Sequence, residues 1–167
     1  MKVLYIVRHA KSSWDYSELS DFERPLTARG RRDAPFMAGI IREQNEPPFV
    51  IVSSSALRAV TTARTFATEL GLPLASMVIT NALYEAGTQE ALNVVHRIDN
   101  NVKTAMIVGH NPTMTSLVNT ISDIQLENIP TCGCVKIAFP NADVWTDIDK
   151  SSGKLMMFEY PKKYFPE

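Results

Sequence analysis

At 167 residues, with a hydrophobic fraction of 45%, a charged fraction of 21% and a formal net charge of -1, the chain has the size of one globular domain spanning residues 1–167. This charge balance gives no bulk attraction to nucleic acid or anionic lipid, so any anion binding is local. No apolar run approaches the roughly 20 residues that cross a bilayer, and Met1-Lys2 leads straight into a strand-like run without a signal-peptide layout, so a cytoplasmic protein with no membrane partner is expected.

Apolar runs of strand length alternate with longer stretches of helical period. A first strand over residues 3–7 delivers the chain directly into Arg8-His9. A helix is expected over residues 27–43, with Thr27 able to cap it and Pro35 expected to kink or break it by removing a backbone donor. A strand over 49–52 runs into "SSSALRAVTTA", where the serine run can cap a helix over 56–70 that carries Arg58 in its first turn. A strand over 76–79 leads through "ALYEAG" to a helix over 89–99. On that helix His96 lies off the apolar stripe of Ala91, Val94, Val95 and Ile98 and reads as a surface residue. The strand over 105–108 ends in "GHNPT", in which Asn111 suits an N-cap and Pro112 the first position of a helix over 113–121. Strands over 135–139 and 155–160 flank a polar segment, 141–153, and read as an antiparallel hairpin closing one edge. Cys132 and Cys134, one residue apart, fit neither a disulfide framework nor a zinc knuckle and are expected to be structural thiols. The β-α-β-α order predicts an α/β fold, a three-layer α/β/α sandwich with a mostly parallel central sheet and an antiparallel C-terminal edge.

Three strands of that sheet end in basic residues: Arg8 with His9, Arg58, and His110. Parallel strands of an open sheet all end on one edge, where ligands bind and helix N-termini aim free N–H groups and a positive dipole end. Taken singly, each residue is as readily a solvated arginine or a satisfied histidine. Two of the 3 histidines in the chain, however, fall at strand ends beside the punctuation that opens a helix or loop. Four side chains that are or can become cationic therefore converge where backbone donors already favour an anion, which is the pattern of a phosphate site.

"VRHAKSSW", then "DFERPLTARG", "SSSALRAVTTA", "ALYEAG" and "VGHNPT" together resemble the histidine phosphatase (phosphoglycerate-mutase-like) superfamily. Within it the chain is similar to the short, single-domain phosphohistidine phosphatases of the SixA type, over residues 2–161 and including the closing "GKLMMFEYP". Many relatives carry glycine after the first histidine where this chain has Ala10, a change that a methyl group tolerates unless the backbone there needs a positive φ.

The resemblance implies roles for these residues. His9 is the nucleophile, with a backbone carbonyl holding its other N–H. Arg8 and Arg58 depress its pKa and grip phosphoryl oxygens, and His110 is a cationic donor on the far side, its protonation favoured by the dianion it faces. Glu85 is a candidate proton donor, in a loop packed over the pocket by Leu83 and Tyr84, and equally a solvent-facing loop residue. Lys11, Ser12 and Trp14 line the rim, Lys11 and Ser12 as candidate phosphate ligands. Arg24 either reaches the phosphate or pairs with Asp21 or Glu23. No cofactor or metal is implied, and the sequence carries no His-Glu-x-x-His, Cys-x-x-Cys or aspartate cluster.

About twenty residues separate the first strand from the first helix and under ten separate the third pair, leaving little to wall the pocket. An open pocket suits a phosphoryl group on a protein surface. The expected activity is hydrolysis of phosphohistidine on a protein to inorganic phosphate. A phosphatase for small phosphate esters is the alternative enzyme, and a non-catalytic phospho-residue-binding module the alternative of another class.

Overall fold

The computed structural model describes residues 1–166. Six strands form one sheet: β1 (Lys2–Arg8), β2 (Val50–Ser54), β3 (Met77–Thr80), β4 (Thr104–Gly109), β5 (Cys134–Phe139) and β6 (Lys154–Glu159), in the order β3-β2-β4-β1-β5-β6. The four on one side of the sheet, β3, β2, β4 and β1, run parallel, whereas β5 is antiparallel to β1 and β6 antiparallel to β5. This is the expected α/β sandwich with a mostly parallel sheet and an antiparallel C-terminal edge.

Alternation along β1 sorts the core into two layers. Val3, Tyr5 and Val7 join Met37, Ala38 and Ile41 of α1 (Ala28–Arg42) and Ala59, Ala63 and Phe66 of α2 (Leu57–Glu69). Leu4 and Ile6 point the other way, to Val94 and Val95 of α3 (Thr88–His96) and Met114, Leu117 and Val118 of α4 (Thr113–Ile121). The adjacent strands β1 and β4 thus feed helices on opposite faces, α1 on one and α4 on the other. That divergence opens a crevice at their carboxyl ends, the switch point at which such sheets bind ligands.

Several local expectations are corrected. Helix α1 runs unbroken through Pro35, because Ala34, Met37, Ala38 and Ile41 on either side of it are fully buried in one layer. The serines do not cap α2. Ser53 and Ser54 extend β2 and are fully buried, and the N-cap is Ala56, which makes no side-chain cap bond. Pro112 stands one position before α4 rather than in its first turn, and the Asn111 carboxamide oxygen accepts from the Thr115 N–H at 3.2 Å. His96 is half-buried and its Nε2–H donates to the Ile148 carbonyl at 2.8 Å. The polar segment 141–153 carries Trp145, fully buried, whose indole N–H donates to the Asp99 and Val102 carbonyls. Cys132 and Cys134 are free and buried, as expected of structural thiols, and burial raises both thiol pKa values.

Candidate active site

Strand β1 ends at Arg8, and the next residue is tied to strands on both sides. The His9 N–H donates to the Gly109 carbonyl at 3.0 Å, and the His9 carbonyl accepts from the Cys132 N–H at 3.0 Å. The Ala10 N–H then donates to Thr62 Oγ1 at 3.0 Å, and the Thr62 hydroxyl donates to the Arg58 carbonyl at 2.7 Å. Thr62 lies one turn beyond Arg58 on α2, so one buried hydroxyl locks the histidine loop to the helix that carries the arginine. Ala10 is buried and its backbone stays outside the left-handed region, so its methyl takes the place of the relatives' glycine without strain. Downstream, Gly30 lets α1 press against this loop, since a Cβ there would run into the Lys11 carbonyl.

The His9 ring is buried, and its Nδ1 lies 2.8 Å from the Ala10 carbonyl. A carbonyl only accepts, so Nδ1 carries the proton and Nε2 keeps its lone pair. Burial above all pushes the imidazole pKa down to about 3; the Ala10 bond opposes this, and the nearby His110, Arg58 and Arg8 add to the lowering. His9 is therefore neutral at physiological pH.

Around it stand the other three expected residues. The His110 ring centre is 5.1 Å from that of His9, and its Nε2 lies 2.7 Å from the Ser54 hydroxyl. Burial first, then Arg58, pushes its pKa down to about 4. The resemblance implied a His110 made cationic by the dianion it faces; in the free protein, without that dianion, it is neutral, because its desolvation and neighbouring guanidinium outweigh the attraction of Asp21. The Ser54 hydroxyl also accepts from the Ala56 N–H at 3.3 Å and still has both a proton and a second lone pair to offer His110 Nε2, so the one ring proton of neutral His110 can sit on either nitrogen. Arg58 is buried, and Arg8 is half-buried with one Nη donating to the Ile129 carbonyl at 3.0 Å. His110 Nδ1, Arg8 Nε and Arg58 Nε are all buried without a partner in the protein. Buried polar atoms are overwhelmingly paired, so these three unpaired nitrogens, two of them guanidinium donors, form an arrangement around one neutral histidine that is suited to an anion.

The secondary candidates divide. Ser12 is buried, and its hydroxyl accepts from Arg24 Nη1 at 2.9 Å. Arg24 itself pairs through Nε with Asp21 Oδ1 at 3.1 Å, not with Glu23, and stacks 3.5 Å from the Trp14 ring centre. Lys11 is half-buried, and its carbonyl accepts from the Thr27 N–H that opens α1. Glu85 is exposed, at φ 54°, so Leu83 and Tyr84 pack the loop without covering its carboxylate. It shares with His110, Asn111 and Thr113 a cavity of about 370 Å³. Asp21, Ser54 and Thr62 were missed as site residues. Asp21 bonds both the Arg58 guanidinium and the Tyr84 hydroxyl. Among the described residues no group of three or more His, Cys, Asp or Glu side chains is placed to hold a metal.

The model of the histidine phosphatase superfamily (branch 1) matches residues 4–91, more than half of the chain. The uncharacterized protein ML1117 of Mycobacterium leprae is 28% identical over 169 residues, covering 93% of this chain and 100% of its own. The uncharacterized chloroplastic protein At3g52155 of Arabidopsis thaliana is 29% identical over 159 residues, or 90% and 72% of the two chains. Among solved structures, a candidate phosphohistidine phosphatase SixA from Agrobacterium tumefaciens superposes with a TM-score of 0.79 at 25% identity, covering 96% of this chain and 98% of that one. The protein histidine phosphatase SixA complexed with tungstate gives 0.80 at 20% identity, with coverage of 96% and 98%. No helix is long and apolar enough to cross a membrane among the described residues. The fold is that of the SixA-type phosphatases, and the chain belongs to the histidine phosphatase superfamily.

Proposed function

We propose that the protein is a phosphohistidine phosphatase that works without a metal, through a phosphohistidine intermediate on His9, and takes its phosphoryl group from phosphohistidine on a partner protein. The observation that carries this reading is the His9 ring, neutral, with Nδ1 held by the Ala10 carbonyl and Nε2 unprotonated among three unpaired buried nitrogens, two of them guanidinium donors. Nε2 attacks phosphorus as the bond to the leaving nitrogen breaks, and that nitrogen keeps the electron pair and takes a proton. Arg8 and Arg58 hold the equatorial oxygens, and His110 donates from Nδ1, so developing charge meets fixed donors. Binding a dianion also raises the His110 pKa and so favours its cationic form. Water then attacks the phosphorus on His9 and releases inorganic phosphate.

The leaving group supports a histidyl substrate. An imidazole whose conjugate acid ionises near ~6.5 departs with little help, and Glu85, the carboxylate among the described residues that line the His110 cavity, is exposed. The likeness in fold to proteins named for phosphohistidine dephosphorylation points the same way. That same Glu85 favours the alternative, a phosphatase for small esters, only if it protonates alkoxides. The test is kcat/KM for a phosphohistidine protein, an aryl phosphate and an alkyl phosphate, with wild type and Glu85→Gln. We expect the phosphohistidine protein to be turned over fastest and Glu85→Gln to change all three little. A loss of ~10²–10⁴-fold confined to the alkyl ester, together with high wild-type activity on it, would establish the small-ester enzyme instead.

A further inference from the structure

A carboxylate inside a phosphate site needs an explanation, because it competes with the substrate for the same cations. Asp21 Oδ2 accepts from Arg58 Nη2 at 3.0 Å and from the Tyr84 hydroxyl at 2.8 Å, while its backbone carbonyl accepts from Arg58 Nη1 at 2.7 Å. Oδ1 accepts from Arg24 Nε at 3.1 Å. The Arg58 and Arg24 side chains are only 7% and 9% exposed, yet the Asp21 side chain is 46% exposed. It therefore lies at the mouth, with buried guanidinium groups behind it and solvent in front. Arg58 has both Nη groups on Asp21 and an unpaired Nε turned elsewhere. A phosphoryl group on the Nε edge and the carboxylate on the Nη edge would share one planar guanidinium, on the order of 5–7 Å apart.

The charges in this ring balance a single phosphoryl group. Arg8, Arg24 and Arg58 bring three positive charges, Asp21 removes one, and His9 and His110 are neutral. What remains among these groups matches a phosphoryl dianion, with Lys11, half-buried on the His9 loop, outside the count. Oδ1 accepts from Arg24 Nε in the bonds above, and a carboxylate oxygen can accept a second donor, so an N–H of a leaving group could donate there.

We propose that Asp21 determines specificity: its carboxylate, fixed on the outer edge of Arg58, rejects substrates that carry a second anion near the phosphorus and favours a neutral or protonated leaving group such as imidazole. This rests on the reading of the pocket as a phosphoryl-transfer site at His9. The carboxylate stays ionised, since its hydrogen bonds from Tyr84, Arg58 and Arg24 hold its pKa at about 2 against partial burial.

A matched pair of aryl phosphates, 3-carboxyphenyl and 3-carbamoylphenyl phosphate, isolates the charge, because the two differ little in shape. Wild type should favour the carbamoyl ester in kcat/KM, and Asp21→Asn, which can keep one oxygen acceptor for Arg58 and Tyr84 while giving up that for Arg24, should shrink that preference by about tenfold, the scale of one partly solvated charge pair. Raising the salt concentration should compress the wild-type preference and leave the variant's unchanged. The salt titration needs only wild-type protein, so a variant that fails to fold does not stop the test. Equal losses on both esters, or a wild-type preference near one that salt does not move, would overturn the proposal and leave Asp21 as a residue that merely positions Arg58. Phosphoamidate labelling of His9, run in parallel, separates the two claims: label on His9 with no charge preference defeats only the role of Asp21, whereas absence of label defeats the reading of the pocket itself.

Discussion

The ends of β1 and β4 are a matched pair with unlike histidines. The strands run parallel in register, Arg8 opposite Gly109, and each is followed by one histidine, so the rings meet at 5.1 Å. His9 is held by its own chain, through a carbonyl that can only accept, and leaves Nε2 open. His110 is held from β2, through a hydroxyl that can donate or accept, and leaves Nδ1 open. A ring fixed by a carbonyl keeps one neutral tautomer and therefore a lone pair. A ring fixed by a hydroxyl keeps its hydrogen bond whether neutral or cationic. Under the proposed function, the difference in one partner atom type separates a nucleophile from a donor at otherwise equivalent positions.

The largest effect should come from removing either ring. His9→Ala should abolish the covalent intermediate, whereas His110→Ala should still allow phosphorylation of His9, slowed by ~10²–10³-fold, the scale of one lost charge-stabilising donor; single-turnover quench measures both. Comparable residual labelling in the two variants would erase the distinction.

Next in size is the dependence of stability on pH. The folded-state pKa values, about 3 for His9 and about 4 for His110, lie below the unfolded value of ~6.5. The unfolded chain therefore binds protons that the native one refuses, so this stability is complete above about 6.5 and is lost as pH falls from there through the folded values. Asp21, held at about 2, adds a loss in the lower window beneath the usual carboxylate value. Urea midpoints should decline already between pH 6.5 and 4. A flat profile over that range would show that the rings are not desolvated as described.

A smaller effect, about tenfold in kcat, is expected from Ser54→Ala, which removes one hydrogen bond to a buried ring. Its mark is that ¹⁵N spectra of His110 should shift in tautomer balance while those of His9 stay unchanged. The smallest is none: the charges in the pocket are side chains, so activity should survive chelators. Activity lost in EDTA and restored by added metal would contradict the chemistry.

The sequence made the sheet and the four central residues legible because strand-length apolar runs stop abruptly at Arg8-His9, at the serines before Arg58 and at Gly109-His110. Periodicity also gave the stripe of Ala91, Val94, Val95 and Ile98, all of which lie in one buried core layer. The supporting residues were hidden for physical reasons. Ser53 and Ser54 look like caps, because nothing in a polar run distinguishes a buried strand serine from a helix-capping one. Asp21 and Glu23 flank Phe22 in one acidic stretch, and only the folded loop selects Asp21 for Arg24 and Arg58. Thr62 did carry a signal, four residues from Arg58 and so on the same helix face. Trp145 carried another, as the large apolar residue of an otherwise polar segment.

The most direct test is to react wild-type protein with phosphoramidate, quench in base and locate the phosphate by mass spectrometry. The account predicts an acid-labile, base-stable phosphoryl group on Nε2 of His9 that forms and decays fast enough to carry turnover. Phosphate found on His110, or turnover with no phosphoenzyme at all, would contradict it.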